Sequence, residues 1–133
     1  MTAERRFPAP PVTPEGEAFW TAAAAGRFLL RWCIACGRAH WYPRATCPFC
    51  ASDRTEWRDA SGRGTIYSFS TLRRASPPFT IAYVTLAEGP VMMTCLVECD
   101  PDAVAIGDAV EIAFRPSEGG PPVPCFRPVP AGR

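Results

Sequence analysis

Two short cysteine pairs, Cys33-Ile34-Ala35-Cys36 and Cys47-Pro48-Phe49-Cys50, are separated by ten residues, and this spacing constrains the chain more than any other feature. Each pair can curl two sulfurs toward one point while the linker folds as a hairpin, so the four thiolates suit a single tetrahedral metal ion. Gly37 follows the first pair and can take the positive φ that ends a tight knuckle, and Pro48 stiffens the second. Residues 28–32, 40–42 and 55–58 are aromatic or extended in character, which predicts a three-stranded ribbon around the metal. Zinc held by four thiolates carries a local charge of about −2, which Arg31, Arg38 and Arg44 are near enough in sequence to offset. Iron satisfies the same four sulfurs. With every coordination position taken by protein, no place is left for a reactive water, so the ion is expected to be structural. His40 reads as an ordinary ribbon histidine, since the sulfurs already complete the set.

A ribbon of about 30 residues buries too little apolar surface to stand without its metal. The whole chain, at 133 residues, has room for one ordinary domain or two very small ones. Its formal charge of +1 becomes about −1 once the ion and four thiolates are counted, leaving no global pull toward phosphate backbones or anionic membranes. All fourteen basic side chains are arginine, which removes Schiff-base chemistry and any lysine base. One histidine, no Gly-x-Ser-x-Gly elbow and no glycine-rich phosphate loop leave the chain without an evident nucleophile and base, so no catalytic residues are expected. Asp100, Asp102 and Asp108 fall where turns and a helix cap need them. No apolar run reaches 18 residues and the N-terminus lacks a signal-peptide core, which predicts a soluble cytoplasmic protein with no membrane partner. Cys95, Cys99 and Cys125 read as small core or half-buried residues. If Cys95 and Cys99 share a strand they stand about 13 Å apart, too far for a disulfide.

The organisation along the chain follows from local signals. Residues 1–12 are rich in proline and are expected to stay extended or disordered. A helix is predicted over 13–26, with Thr13 as N-cap, Pro14 in the first turn and Gly26 as the stop. Phe19 and Trp20 on this short helix must pack on something, either the chain's own ribbon or a partner subunit. The ribbon occupies 27–59. Over 60–128, alternating β-branched and aromatic segments at 65–72, 80–86, 91–97, 109–114 and 123–127 are divided by turn signals, which predicts a five-stranded barrel of the OB type, with an SH3-like barrel as the nearest competitor. Residues 129–133 form a trailing tail. The fold class is therefore mainly β: an N-terminal helix, a zinc ribbon, then the barrel.

Several motifs occur together in a recognisable order. The Phe19-Trp20 helix, the cysteine quartet with Gly37 and Pro48, Ser61-Gly62-Arg63-Gly64-Thr65-Ile66-Tyr67-Ser68-Phe69, Ile106-Gly107-Asp108-Ala109-Val110 and Pro124-Cys125-Phe126-Arg127-Pro128 succeed one another. Over about residues 14–128 the chain resembles the bacterial and archaeal family catalogued as domain of unknown function thirty-five, a rubredoxin-like zinc ribbon joined to an OB-fold. The resemblance implies zinc on Cys33, Cys36, Cys47 and Cys50. It also implies an accessory role beside a thiolase-like enzyme, assisting the binding or passage of acyl-coenzyme A. Some members resemble partners of enoyl-CoA hydratases or of aldolases that shorten steroid side chains.

Three functions are weighed on this basis. An independent enzyme lacks its catalytic set. A single-stranded nucleic-acid binder has stacking candidates in Tyr67, Phe69, Phe79 and Tyr83, but residues 61–133 carry six arginines against seven acidic groups, which argues against a basic groove. An interaction subunit of an acyl-CoA complex fits best. On that reading Phe19 and Trp20 are the partner-binding candidates, and Arg63, Arg73 and Arg74 are candidates for the coenzyme A phosphates, for which a guanidinium fork is well shaped.

Overall fold

A computed structural model describes residues 6–130 of the chain. Strand β1 is Phe7–Pro8, followed by helix α1 (Glu17–Ala24), then the ribbon strands β2 (Leu29–Cys33), β3 (Ala39–His40) and β4 (Thr55–Asp59). The barrel strands are β5 (Arg63–Leu72), β6 (Phe79–Leu86), β7 (Val91–Leu96), β8 (Ala109–Arg115) and β10 (Val123–Pro128), with the short β9 (Ser117–Glu118) between the last two.

The five barrel strands close in the order β5-β6-β7-β10-β8 and back to β5. Neighbours are antiparallel except at the β7–β10 seam, where Phe126 lies opposite Leu96 in parallel. That parallel closure gives the OB arrangement. Period-two alternation sends Ile66, Ala82, Val84, Met92, Val110 and Phe126 inward, all buried. At Gly64 an added Cβ would lie 2.6 Å from Val84 Cγ1 and 2.7 Å from the Thr85 carbonyl oxygen, so only glycine lets β5 approach β6 this closely.

The helix is shorter than the sequence pattern predicts. Thr13 does not cap it; the Gly16 N–H donates to the Thr13 carbonyl in a turn, and Gly16 itself is the N-cap without a side-chain bond. The stop is as expected: the N–H groups of Gly26 and Arg27 donate to the carbonyls of Ala23 and Ala22, both at 2.9 Å. The start shifts because Phe19, Trp20, Ala22 and Ala23 must all face the core. The N-terminal segment is also not wholly free. Phe7 and Pro8 pair in parallel with Ser117 and Glu118, while residues 1–5 of the expected tail and 131–133 at the other end lie outside the described residues.

Ribbon, helix and barrel share one hydrophobic cluster. Phe28 is the junction: its ring meets Phe19 at 6.1 Å, Phe126 at 6.3 Å and Phe114 at 6.4 Å, all edge to face. Phe19 has no exposed surface and also packs against Trp20 at 4.9 Å and Trp41 at 5.2 Å. Of the two readings of Phe19 and Trp20, packing on the chain's own body is the one observed, and their assignment as partner contacts is corrected accordingly. Such large apolar rings lose too much by staying in water when the ribbon base and barrel end offer a pocket.

Candidate metal centre

The two knuckles are built alike. In the first, Cys33 N–H donates to the Arg38 carbonyl and Gly37 N–H to the Cys33 carbonyl; in the second, Cys47 N–H donates to the Ser52 carbonyl and Ala51 N–H to the Cys47 carbonyl. Gly37 and Ala51 hold equivalent places, with φ of 74° and 65°. An N–H also points at a sulfur in each: Cys36 donates to Cys33 Sγ and Phe49 to Cys47 Sγ, both at 3.4 Å. Across the site, the Arg38 guanidinium stacks 3.6 Å from the Phe49 ring and ties one knuckle to the other.

The four sulfurs lie within 4.8 Å of one another, with Cys33–Cys50 at 3.5 Å and Cys36–Cys47 at 3.7 Å. A tetrahedral zinc with sulfurs at about 2.3 Å requires sulfur separations of roughly 3.8 Å. The donor set fits that ion. Electrostatics point the same way: the Cys36 backbone N–H, assisted by the neighbouring thiols, pulls Cys33 down to about 7 against the effect of burial. For Cys50 the Ser52 backbone N–H pulls down, but the Cys33 thiol, loss of water and the Cys47 and Cys36 thiols together push it up to about 12. Cys36 is likewise raised: the Arg38 backbone N–H pulls its pKa down, and burial with the Cys33 and Cys47 thiols outweighs it. Four thiolates side by side repel one another, and a bound metal cation offsets that repulsion.

Two of the nearby arginines are held by neighbours of the cysteines. Arg31 bonds Thr55 Oγ1 at 3.0 Å and lies over Trp57, while Arg38 is on Phe49. His40 is buried beneath the ribbon, its Nε2 3.3 Å from the Arg44 carbonyl, and burial lowers its pKa. It lies outside the cluster of ligands, as expected.

The three arginines proposed for coenzyme A do not converge. Arg63 opens β5, and Arg73 and Arg74 follow its far end, roughly 30 Å away along an extended strand. Arg73 is engaged with Asp102 at 2.8 Å. A shared phosphate cradle is therefore not formed, because one strand carries its members to opposite ends. Cys99 lies beyond the end of β7, past Glu98 with φ of 50°, so it does not share a strand with Cys95. Cys125 is fully buried, and desolvation with the nearby Cys95 pushes its thiol up to about 12.

Comparison with known proteins follows the same division of the chain. A model of the ChsH2 rubredoxin-like zinc ribbon domain matches residues 20–56, and one of the ChsH2 C-terminal OB-fold domain matches residues 57–115. A DUF35 domain-containing scaffold protein of Methanothermobacter thermautotrophicus is 36% identical over 90 residues, covering 62% of this chain and 68% of that protein. The chain belongs to the DUF35 family. A chain of the Ltp2-ChsH2(DUF35) aldolase structure superposes with a TM-score of 0.78 at 28% identity, over 90% of this chain and 98% of that one. A probable enoyl-CoA hydratase alpha subunit of Thermomonospora curvata is 31% identical over 124 residues, which span 89% of this chain and 39% of that subunit. For this DUF35 chain, the matched zinc-ribbon segment contains all four clustered cysteines.

Proposed function

We propose that this chain is a non-catalytic accessory subunit of an acyl-CoA-processing complex. It docks on a thiolase-like enzyme that condenses or cleaves coenzyme A thioesters, with retro-aldol shortening of a steroid side chain as one candidate reaction. Zinc is the ion of the ribbon. The observation that carries the reading is the likeness, over nine-tenths of the chain, to a chain of the Ltp2-ChsH2(DUF35) aldolase. The chemistry of this chain agrees with it. Its metal ligands are all protein sulfurs, and the hydrogen bond of its one histidine goes to a carbonyl, not to a nucleophile. Any phosphate contact of coenzyme A from this chain falls to single exposed arginines, Arg63 at one end of β5 or Arg74 at the other.

The likeness to an enoyl-CoA hydratase alpha subunit favours a second reading, in which the partner hydrates an enoyl-CoA instead. Both readings place the reacting groups in the partner. Co-expression with thiolase-like and hydratase-type subunits from the same genome, followed by chromatographic assay of coenzyme A thioester products, tests them. The complex is expected to turn over and the isolated chain is not. Turnover by the isolated chain overturns the non-catalytic role, and failure of either subunit to bind it overturns the accessory role.

A further inference from the structure

One side of the barrel is free of charge. None of residues 65–72, 79–86 and 91–96, which form nearly all of the adjacent strands β5, β6 and β7, is Asp, Glu, Arg, Lys or His. Inward positions of a barrel are expected to lack charge; here the outward ones, including Ser68, Ser70 and Thr85, are uncharged too. Tyr83 pairs with Met93 on the outer side; Tyr67 faces out after inward Ile66, and a register shift there sets Ser68 outward too, opposite Tyr83. Tyr67 is 63% exposed, Met93 59% and Tyr83 47%. With Leu72 and Val91 they make up half of the exposed large apolar and aromatic side chains among the described residues. Between Ser68, Ser70, Ile81, Tyr83 and Met93 lies a cavity of about 130 Å³. It is about the size that accepts a benzene ring.

The other surfaces are of a different kind. Outside β8 and β10, Arg127 lies 3.6 Å from both Glu111 and Glu98, and Arg115 also pairs with Glu98. The ribbon and its approach carry Arg27–Asp59 and Arg58–Glu56 pairs. Charge depletion with exposed Tyr and Met is the composition of an interface centre. We propose that the β5–β6–β7 face is the surface by which this chain docks on its acyl-CoA enzyme, which presents an uncharged concave patch and seats one large apolar side chain in the cavity. This inference rests on the accessory-subunit reading above.

Charge and shape select that occupant. An oligonucleotide or the phosphates of coenzyme A need cations, and the face offers none. A charged protein patch would be desolvated against it without a counter-charge. Three strands span roughly 14 Å by 25 Å, an uncharged centre of about 350 Å², which is a little under half of the ~800 Å² per partner of a stable complex and of the size expected for an interface core. A second copy would set one convex barrel wall against another, touching along a narrow line. A larger enzyme with a concave patch covers the whole face.

The test measures binding of the full chain to purified thiolase-like and hydratase-type subunits from the same genome, by titration calorimetry. Met93→Glu and Tyr83→Glu are expected to weaken binding at least 100-fold, with zinc content and circular dichroism unchanged, whereas Glu111→Gln, on the charged side, is expected to bind as the native chain does. Hydrogen exchange of the native complex, which needs no variant to fold, is expected to slow within residues 79–96. Native-like binding by both glutamate variants, or no slowing in 79–96, overturns the docking face and leaves the accessory role standing. A native chain that binds neither subunit overturns the accessory role and this inference with it. Light scattering that shows the chain alone as a dimer, dissociated by Met93→Glu, overturns the enzyme as occupant of the face.

Discussion

Replacing Phe19 by alanine separates a core residue from a contact residue, the two roles its sequence allows. In the structure its ring is fully buried and meets three other aromatic rings at 4.9 to 6.1 Å. Withdrawing a phenylalanine side chain from water contributes about 2 kcal/mol. Truncation leaves a cavity of roughly 100 Å³, and at about 24 cal/mol per Å³ this adds ~2 kcal/mol. A loss of about 4 kcal/mol is therefore predicted, a large share of the 5–15 kcal/mol typical of a domain. With a urea m-value of about 2 kcal/mol/M, the unfolding midpoint drops by ~2 M. Urea titration of the metal-loaded chain, followed by tryptophan fluorescence, measures it. Phe19→Ala is expected to reach this loss whether or not a partner is present. A loss under about 1 kcal/mol in the isolated chain, together with failure to bind the partner enzyme, would refute the packing argument and return Phe19 to the interface.

Other predictions are narrower. Ala51→Gly relieves a left-handed alanine at the place where the first knuckle has Gly37, and is expected to stabilise the metal-loaded ribbon by about 1 kcal/mol in the same titration. Gly64→Ala places a methyl group within 2.7 Å of the β6 backbone and is expected to cost about 2 kcal/mol, with the circular dichroism of a barrel retained. His40 is buried and its folded pKa lies below the unfolded value of about 6.5 because burial disfavours the charged ring. The unfolded state thus binds the proton more readily, so this contribution is complete above pH ~6.5 and lost as pH falls from there through the lower folded pKa. A urea midpoint that falls less steeply from pH 7 to 5 in His40→Gln than in the native chain checks this sign; equal slopes contradict it.

Much of the architecture was legible because its causes are local. The cysteine spacing marks the metal centre, and each barrel strand lies within two residues of its alternating segment, bounded by Gly, Pro and Asp turns. What was not legible depends on distant partners. The Phe7–Pro8 strand exists only because Ser117 and Glu118 lie beside it, and the helix start was shifted from the Thr13-Pro14 signal by packing on Phe28 and Trp41. Arg63, Arg73 and Arg74 were each candidates in sequence, and a ten-residue strand sets the first apart from the other two. The uncharged face was visible as three strands without charge, yet its outward half became distinct only once register and the slip at Tyr67 set which side chains meet solvent.

Native mass spectrometry of this chain co-purified with the proposed acyl-CoA enzyme subunit tests the central claim, a metal-clamped ribbon and barrel serving another polypeptide. The predicted result is a heteromeric complex whose mass includes one zinc ion for every copy of this chain, with ribbon and partner lost together on chelation. A complex-free chain of bare polypeptide mass, folded and stable without metal, would contradict it.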